Sequence, residues 1–113
     1  MSYQYRHVTV DRIIDGDTVC MAVDMGNKIT WRDSFRLMGI DTPERGQDGY
    51  VEATNYLKRL LLLPLARIET HKADKFGRWL VDIYLDADNG GELHVNRLMV
   101  VEGHAVEYFG GKK

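Results

Sequence analysis

Apolar and polar positions change period several times along the chain, and each change marks an element. Val8, Val10, Ile13 and Ile14 place a first strand within Tyr5 to Ile14. Asp15-Gly16-Asp17 turns the chain, and Thr18 to Val23 forms the second strand of a hairpin. Met25-Gly26-Asn27-Lys28 is the next turn. From there Ile29, Trp31, Phe35 and Leu37 occupy alternate positions, broken only by Asp33, which predicts a long third strand reaching Met38. The first forty residues therefore predict three meandering strands.

The period then lengthens. After the polar, glycine-rich loop Arg45 to Gly49, the residues Tyr50, Ala53, Thr54, Leu57, Leu60 and Leu61 recur at three- and four-residue steps. That spacing predicts a helix capped by Asp48 and ended by Pro64. Ala66 to His71 and Trp79 to Leu85 read as strands around the turn Lys72 to Arg78, and Asp86 to Gly91 is another turn. Asn96 is expected to cap a short helix, Arg97 to Glu102, stopped by Gly103. The order β-β-β-α-β-β-α predicts a mainly β chain with helices (α+β), built as a small closed five-stranded barrel.

Composition narrows the picture. The 113 residues suffice for one compact domain, so residues 1–113 are expected to form a single unit. Hydrophobic residues make up 44% and charged residues 28%, ordinary values for a soluble globular protein. No apolar run approaches the roughly 20 residues of a membrane span. The N-terminal stretch carries no apolar signal core, which gives a cytoplasmic expectation and leaves open the secretion of a longer precursor. Cys20 is the only cysteine, so an internal disulfide is excluded. A formal net charge of −2 argues against gripping nucleic acid by bulk positive charge, although carboxylates gathered around a cation inflate that count.

The densest chemistry lies in Arg36-Leu37-Met38-Gly39-Ile40-Asp41-Thr42-Pro43-Glu44, with Asp15-Gly16-Asp17-Thr18 upstream. Arg36 and Asp41 reach one volume only if the strand bends, and Gly39 permits that bend. Asp17, Asp41 and the carbonyl of Thr42 suit a hard cation such as calcium, which takes oxygen donors. Arg36 and Arg78 offer planar forks matched to phosphate oxygens. Glu44 follows as a group able to hold or deprotonate a water. Taken singly these are ordinary: Asp15 and Asp17 fit a plain β-turn, Arg36 a salt bridge, Arg78 a solvated turn and Glu44 a loop cap. Together they describe a phosphodiester site, in which a cation and two guanidiniums neutralise charge on the equatorial oxygens. Two bare carboxylates would repel, so replacing Asp41 is expected to stabilise the metal-free chain. His7, His71, His94 and His104 show no spacing of a metal pair and read as structural or exposed.

The segments Asp15-Gly16-Asp17-Thr18, Arg36-Leu37, Ile40-Asp41-Thr42-Pro43-Glu44, Asp74-Lys75-Phe76-Gly77-Arg78 and Val95-Asn96 followed by Leu98 resemble the staphylococcal (thermo)nuclease family. The resemblance runs in family order over nearly the whole chain. It implies an oligonucleotide/oligosaccharide-binding (OB-fold) barrel and Ca2+-dependent hydrolysis of DNA and RNA that leaves 3′-phosphate ends. By resemblance, Asp17, Asp41 and the Thr42 carbonyl are metal ligands, with Asp15 orienting waters around the ion. Arg36 and Arg78 clamp phosphate, Glu44 is the residue usually cast as general base, and Lys75 and Phe76 lie near a neighbouring phosphate.

Departures shape the expectation. Phe76 stands where the family often has tyrosine, and Tyr108 or Phe109 is left as the candidate to stack a base. The weakly acidic chain implies weaker, more salt-sensitive binding than a basic family member shows. The leading expectation is a monomeric, sequence-nonspecific nuclease preferring single strands. The rival is a catalytically silent nucleic-acid or protein-binding module of the same fold, against which stands the retention of Asp17, Arg36, Asp41, Glu44 and Arg78.

Overall fold

The computed structural model describes residues 2–73 and 77–108. Its strands are β1 (Tyr3–Tyr5), β2 (Val8–Asp15), β3 (Thr18–Asp24), β4 (Thr30–Leu37), β5 (Ile40–Asp41), β6 (Leu65–Ala73), β7 (Trp79–Asp86), β8 (Glu92–His94) and β9 (Val106–Glu107). The helices are α1 (Tyr50–Leu60) and α2 (Val95–Val101).

The three-strand meander is present as β2, β3 and β4, each antiparallel to the next. The main sheet runs β1-β6-β7-β4-β3-β2, with β8 added to β7. Its two ends, β1 and β2, are separated in the chain only by Arg6 and His7. The predicted first strand is thus one strand broken in two, pairing with β6 along one half and β3 along the other. A strand that serves both edges rolls the sheet into a five-stranded OB-fold barrel and leaves no long open edge. Register shifts in β2 between Val10 and Arg12, and again between Ile13 and Asp15, supply the bending. β4 and β7 pair in parallel, with Arg36 level with Leu80.

Alternation fills the interior. Val19, Met21 and Val23 from β3, Phe35 and Leu37 from β4, Ile68 from β6 and Val81, Ile83 and Leu85 from β7 have no exposed surface. Ala53 and Leu57 of α1 and Val95 and Met99 of α2 close the core from the helical side.

Both predicted caps are corrected. Gly49, with φ of 89°, takes the N-cap position of α1 without a side-chain hydrogen bond, and Asp48 stays exposed. The left-handed glycine turns the chain sharply enough for its own carbonyl to accept from Ala53 N–H at 2.9 Å. At α2 the N-cap is His94, and Asn96 lies inside the helix, 3% exposed. Its amide nitrogen donates to the carbonyls of Met38 and Val81, each at 2.9 Å, while its oxygen accepts from Ile83 N–H at 3.2 Å. Asn96 therefore ties α2 to β7 and to the chain leaving β4, and it supplies the buried Ile83 N–H with an acceptor. Among the described residues no helix is long and apolar enough to cross a membrane.

Candidate active site

Three chain segments meet at the end of β4. The β2–β3 turn brings Asp17, the last residue of β4 but one is Arg36, and β5 brings Asp41. Five extended residues would hold Arg36 and Asp41 ~16 Å apart. Gly39, with φ of 79°, folds the chain back instead, and its carbonyl accepts from Tyr108 N–H at 2.8 Å. The bend anticipated at glycine is there, pinned by the segment that follows β9.

Arg36 is the hub. Nη1 lies 2.8 Å from Asp17 Oδ2, and Nη2 donates to the Ile40 carbonyl at 3.0 Å and to Asp41 Oδ1 at 3.4 Å. The Tyr108 ring stands 6.0 Å from the guanidinium carbon, at the outer limit of a cation–π contact. Asp17 is fixed from every side: Oδ2 also accepts from Thr42 N–H at 3.2 Å, and Oδ1 accepts from the Thr18 hydroxyl at 3.1 Å. Its own N–H donates to Asp15 Oδ1 at 3.2 Å, and its carbonyl accepts from Leu37 N–H at 2.8 Å.

Gly16 makes this convergence sterically possible, a role the sequence reading missed. A Cβ there would lie 3.1 Å from Ala53 Cβ, 3.1 Å from Thr42 Oγ1 and 3.2 Å from Thr42 Cβ. The turn can press against α1 and the Thr42 segment only because residue 16 has no side chain.

The charges are unequal. Burial pushes Asp17 up, but the hydrogen bond with Asp15 and the Arg36 charge outweigh it and hold the carboxyl below its usual range. Asp15 moves the other way, raised by burial and by Asp17. Burial lowers Arg36, and the two carboxylates more than reverse that. Within the pair, Asp17 holds its charge the more firmly and Asp15 is the more readily protonated partner. Two carboxylates against one guanidinium leave a net negative charge, and the donors are all oxygen. That set fits a hard divalent cation, which Asp17, Asp41 and the Thr42 carbonyl would hold.

The other expected residues are placed differently. Glu44 is exposed on the loop before α1, with its N–H donating to Gln47 Oε1 at 2.7 Å. Its carboxylate joins none of the contacts around Arg36 among the described residues. Arg78 is half-buried just ahead of β7, two residues before Leu80, the residue level with Arg36. Lys75 and Phe76 lie outside the described residues, as does Phe109.

The histidines read as structural or exposed, and three of them make structural contacts. His104 stacks on Tyr56 with ring centroids 4.6 Å apart. His71 and His94, 23 positions apart in sequence, both direct Nε2 at Asp82, at 2.8 Å and 2.7 Å. Parity alone places His71 and Asp82 on outward faces, but only the pairing of β6 with β7 and of β7 with β8 brings the three together.

Two relatives, from Escherichia coli and from Escherichia coli O157:H7, are each named uncharacterized endonuclease and are 33% identical over 102 residues. The alignment covers 90% of this chain and 61% of theirs, so the chain spans about three fifths of the length of the curated relatives it matches. The family model described as staphylococcal nuclease homologue matches residues 34–113, a stretch that holds Arg36, Asp41, Thr42, Glu44 and Arg78. That match spans most of the chain, and the chain belongs to the staphylococcal nuclease homologue family.

Proposed function

We propose that the protein is a metal-dependent endonuclease, a phosphodiesterase that hydrolyses DNA and RNA without sequence preference, favouring single strands and acting as a monomer. The observation that carries this reading is the Arg36 guanidinium held between Asp17 and Asp41, 2.8 Å from one and 3.4 Å from the other. Such an arrangement sets a fixed cation beside an oxygen-donor set for a second one, as phosphoryl transfer requires.

In this reading Asp17, Asp41 and the Thr42 carbonyl hold Ca2+, and Asp15 orients waters nearby. A bound divalent ion supplies positive charge at the phosphate oxygens. Arg36 and Arg78 bind the non-bridging oxygens, and Glu44 takes the proton from the attacking water. The water oxygen forms a bond to phosphorus as the bond to the 5′ oxygen breaks. The leaving oxygen is protonated from solvent, so the products are a 3′-phosphate and a 5′-hydroxyl. Tyr108, next to Arg36, offers a face for a base, and Lys75 and Phe76 are assigned to the adjacent phosphate.

A second reading, a binding module without turnover, draws on one observation: the Arg36 fork is already occupied by Asp17, Asp41 and the Ile40 carbonyl. One experiment separates the two. Labelled single-stranded DNA and RNA are incubated with the protein in Ca2+, in Mg2+ and in chelator. Fragments ending in 3′-phosphate that appear with Ca2+ and vanish with chelator support the nuclease. Retention of uncleaved strand under all conditions supports the binding module.

A further inference from the structure

We propose that the outer face of β6 and β7 carries a second cation site, for a transition-metal ion of the zinc class, built from Glu69, His71 and Asp82 with His94 as its orienting partner. The argument begins with register. Glu69 pairs directly with Asp82, and His71, two residues further along β6, shares the face of Glu69. One ligand atom from each of these three side chains can be chosen so that all lie within 4.8 Å of one another. All three are half-buried, sheltered from bulk solvent yet open to an entering ion.

Two carboxylates directly opposite each other on neighbouring strands repel. His71 and His94 compensate the Asp82 side of this pair at 2.8 and 2.7 Å, and the Arg67 fork is engaged by Glu92, with Nε at 3.1 Å from Oε2 and Nη2 at 3.1 Å from Oε1. An ion between Glu69 and Asp82 would draw on both carboxylates and on the His71 imidazole at once.

The imidazole decides which ion. His71 Nε2 stands 2.8 Å from Asp82 Oδ2. Ligands ~2.1 Å from a tetrahedral zinc lie ~3.4 Å apart, so the imidazole and carboxylate would move apart by ~0.6 Å to admit the metal. Nitrogen beside carboxylate oxygen favours zinc, cobalt or nickel over calcium.

The surroundings resemble those of a metal centre. His94 Nε2 contacts the other oxygen, Asp82 Oδ1, at 2.7 Å, leaving Oδ2 turned toward His71. The His94 ring is itself stacked on Tyr84, centroids 4.7 Å apart and planes at 11°. Glu69 Oε2 accepts from the Ser2 hydroxyl at 2.9 Å. Outer contacts of this kind orient ligands and are costly to remove. The site is separate from the Asp17–Arg36 group: His71 is level with Leu80, and Leu80 with Arg36, a distance of two strand spacings.

The test titrates Zn2+, and Co2+ as a spectroscopic probe, into the metal-free full chain in excess Ca2+. Readouts are the Co2+ visible absorption, the His71 imidazole NMR signals and the melting temperature. One saturable equivalent is expected, displacing the His71 signals and raising the melting temperature. His71→Gln keeps a hydrogen-bonding group beside Asp82 and should weaken binding roughly 100-fold, the upper end of losses seen even for outer partners. Glu69→Gln and His94→Ala should each weaken it at least about 10-fold, whereas Asp41→Asn should bind Zn2+ as the parent does. Absence of saturable Zn2+ binding, unchanged affinity in His71→Gln, or loss of Zn2+ binding in Asp41→Asn would each overturn the proposal. The readouts do not involve cleavage, so the result stands whether or not the chain proves to be a nuclease.

Discussion

Arg36 Nη1 and Asp17 Oδ2 lie 2.8 Å apart, and their side chains are only 12% and 10% exposed. A pair so far withdrawn from water is sensitive to the loss of either member. Arg36→Ala should destabilise the metal-free protein by about 3 kcal/mol, because Asp17 loses the partner that offsets its burial. Arg36→Lys should keep much of that stability and lower kcat/KM by roughly 100- to 1000-fold, since an ammonium cannot reproduce the fork. Urea melts beside cleavage rates check both; a lysine variant with parental turnover would remove Arg36 from the chemistry.

Asp41 behaves differently. Its side chain is 30% exposed and 3.4 Å from Arg36 Nη2. The repulsion expected between bare carboxylates is offset by the guanidinium between them. Asp41→Asn should therefore shift the metal-free stability by less than about 1 kcal/mol in either direction. Metal-dependent cleavage should nonetheless disappear, and isothermal titration with Ca2+ should show the lost affinity.

Gly16 has no room for a methyl group, with Ala53 and Thr42 atoms 3.1 Å from where it would sit. Gly16→Ala should cost about 1–3 kcal/mol by overpacking. It should also displace Asp17 from Thr42, so activity is expected to fall further than the stability loss accounts for at a temperature where the variant is folded.

Asn96 satisfies the Met38 and Val81 carbonyls and the Ile83 N–H. Asn96→Ala leaves the buried Ile83 N–H without its side-chain acceptor, while the Val81 carbonyl keeps Met38 N–H at 2.8 Å, and should cost about 1–3 kcal/mol. Hydrogen exchange should speed up at the Ile83 amide first. Unaltered exchange there would mean that water replaces the side chain.

Asp82 gives a pH dependence. Burial pushes its carboxyl up, but the hydrogen bonds from His94 and His71 prevail and hold it below the ordinary value of 3.8. A depressed folded value means that the stabilisation is present above the unfolded value and is lost as pH falls through the folded one. In chelator, melting temperatures should therefore drop below pH ~4, and Asp82→Asn should flatten that limb while lowering the plateau above it. An Asp82→Asn melt with the parental acid limb would assign the dependence to other carboxyls.

Much of this was readable along the chain. Val19, Met21 and Val23, and then Phe35 and Leu37, announce their strands through alternation, and Ala53 and Leu57 announce α1 through the helical step. Asp17, Arg36 and Asp41 were identifiable because carboxylates and a guanidinium cluster around turn residues. The caps were misread because Asp48 and Asn96 carry the right side chains for capping. Gly49 supplied a sharper turn, and Asn96 was drawn into the interior by carbonyls that no local signal reveals.

Local chemistry thus set the strands, the bend at Gly39 and the identity of the charged groups, since periodicity and backbone freedom act over a few residues. Tertiary pairing decided which of those groups touch. The lodging of the Arg36 fork between Asp17 and Asp41, the withdrawal of Glu44 to the rim and the meeting of His71 and His94 on Asp82 all depend on which strand lies beside which. A period of two fixes the side of a strand a residue occupies, but it carries no information about its neighbour across the sheet.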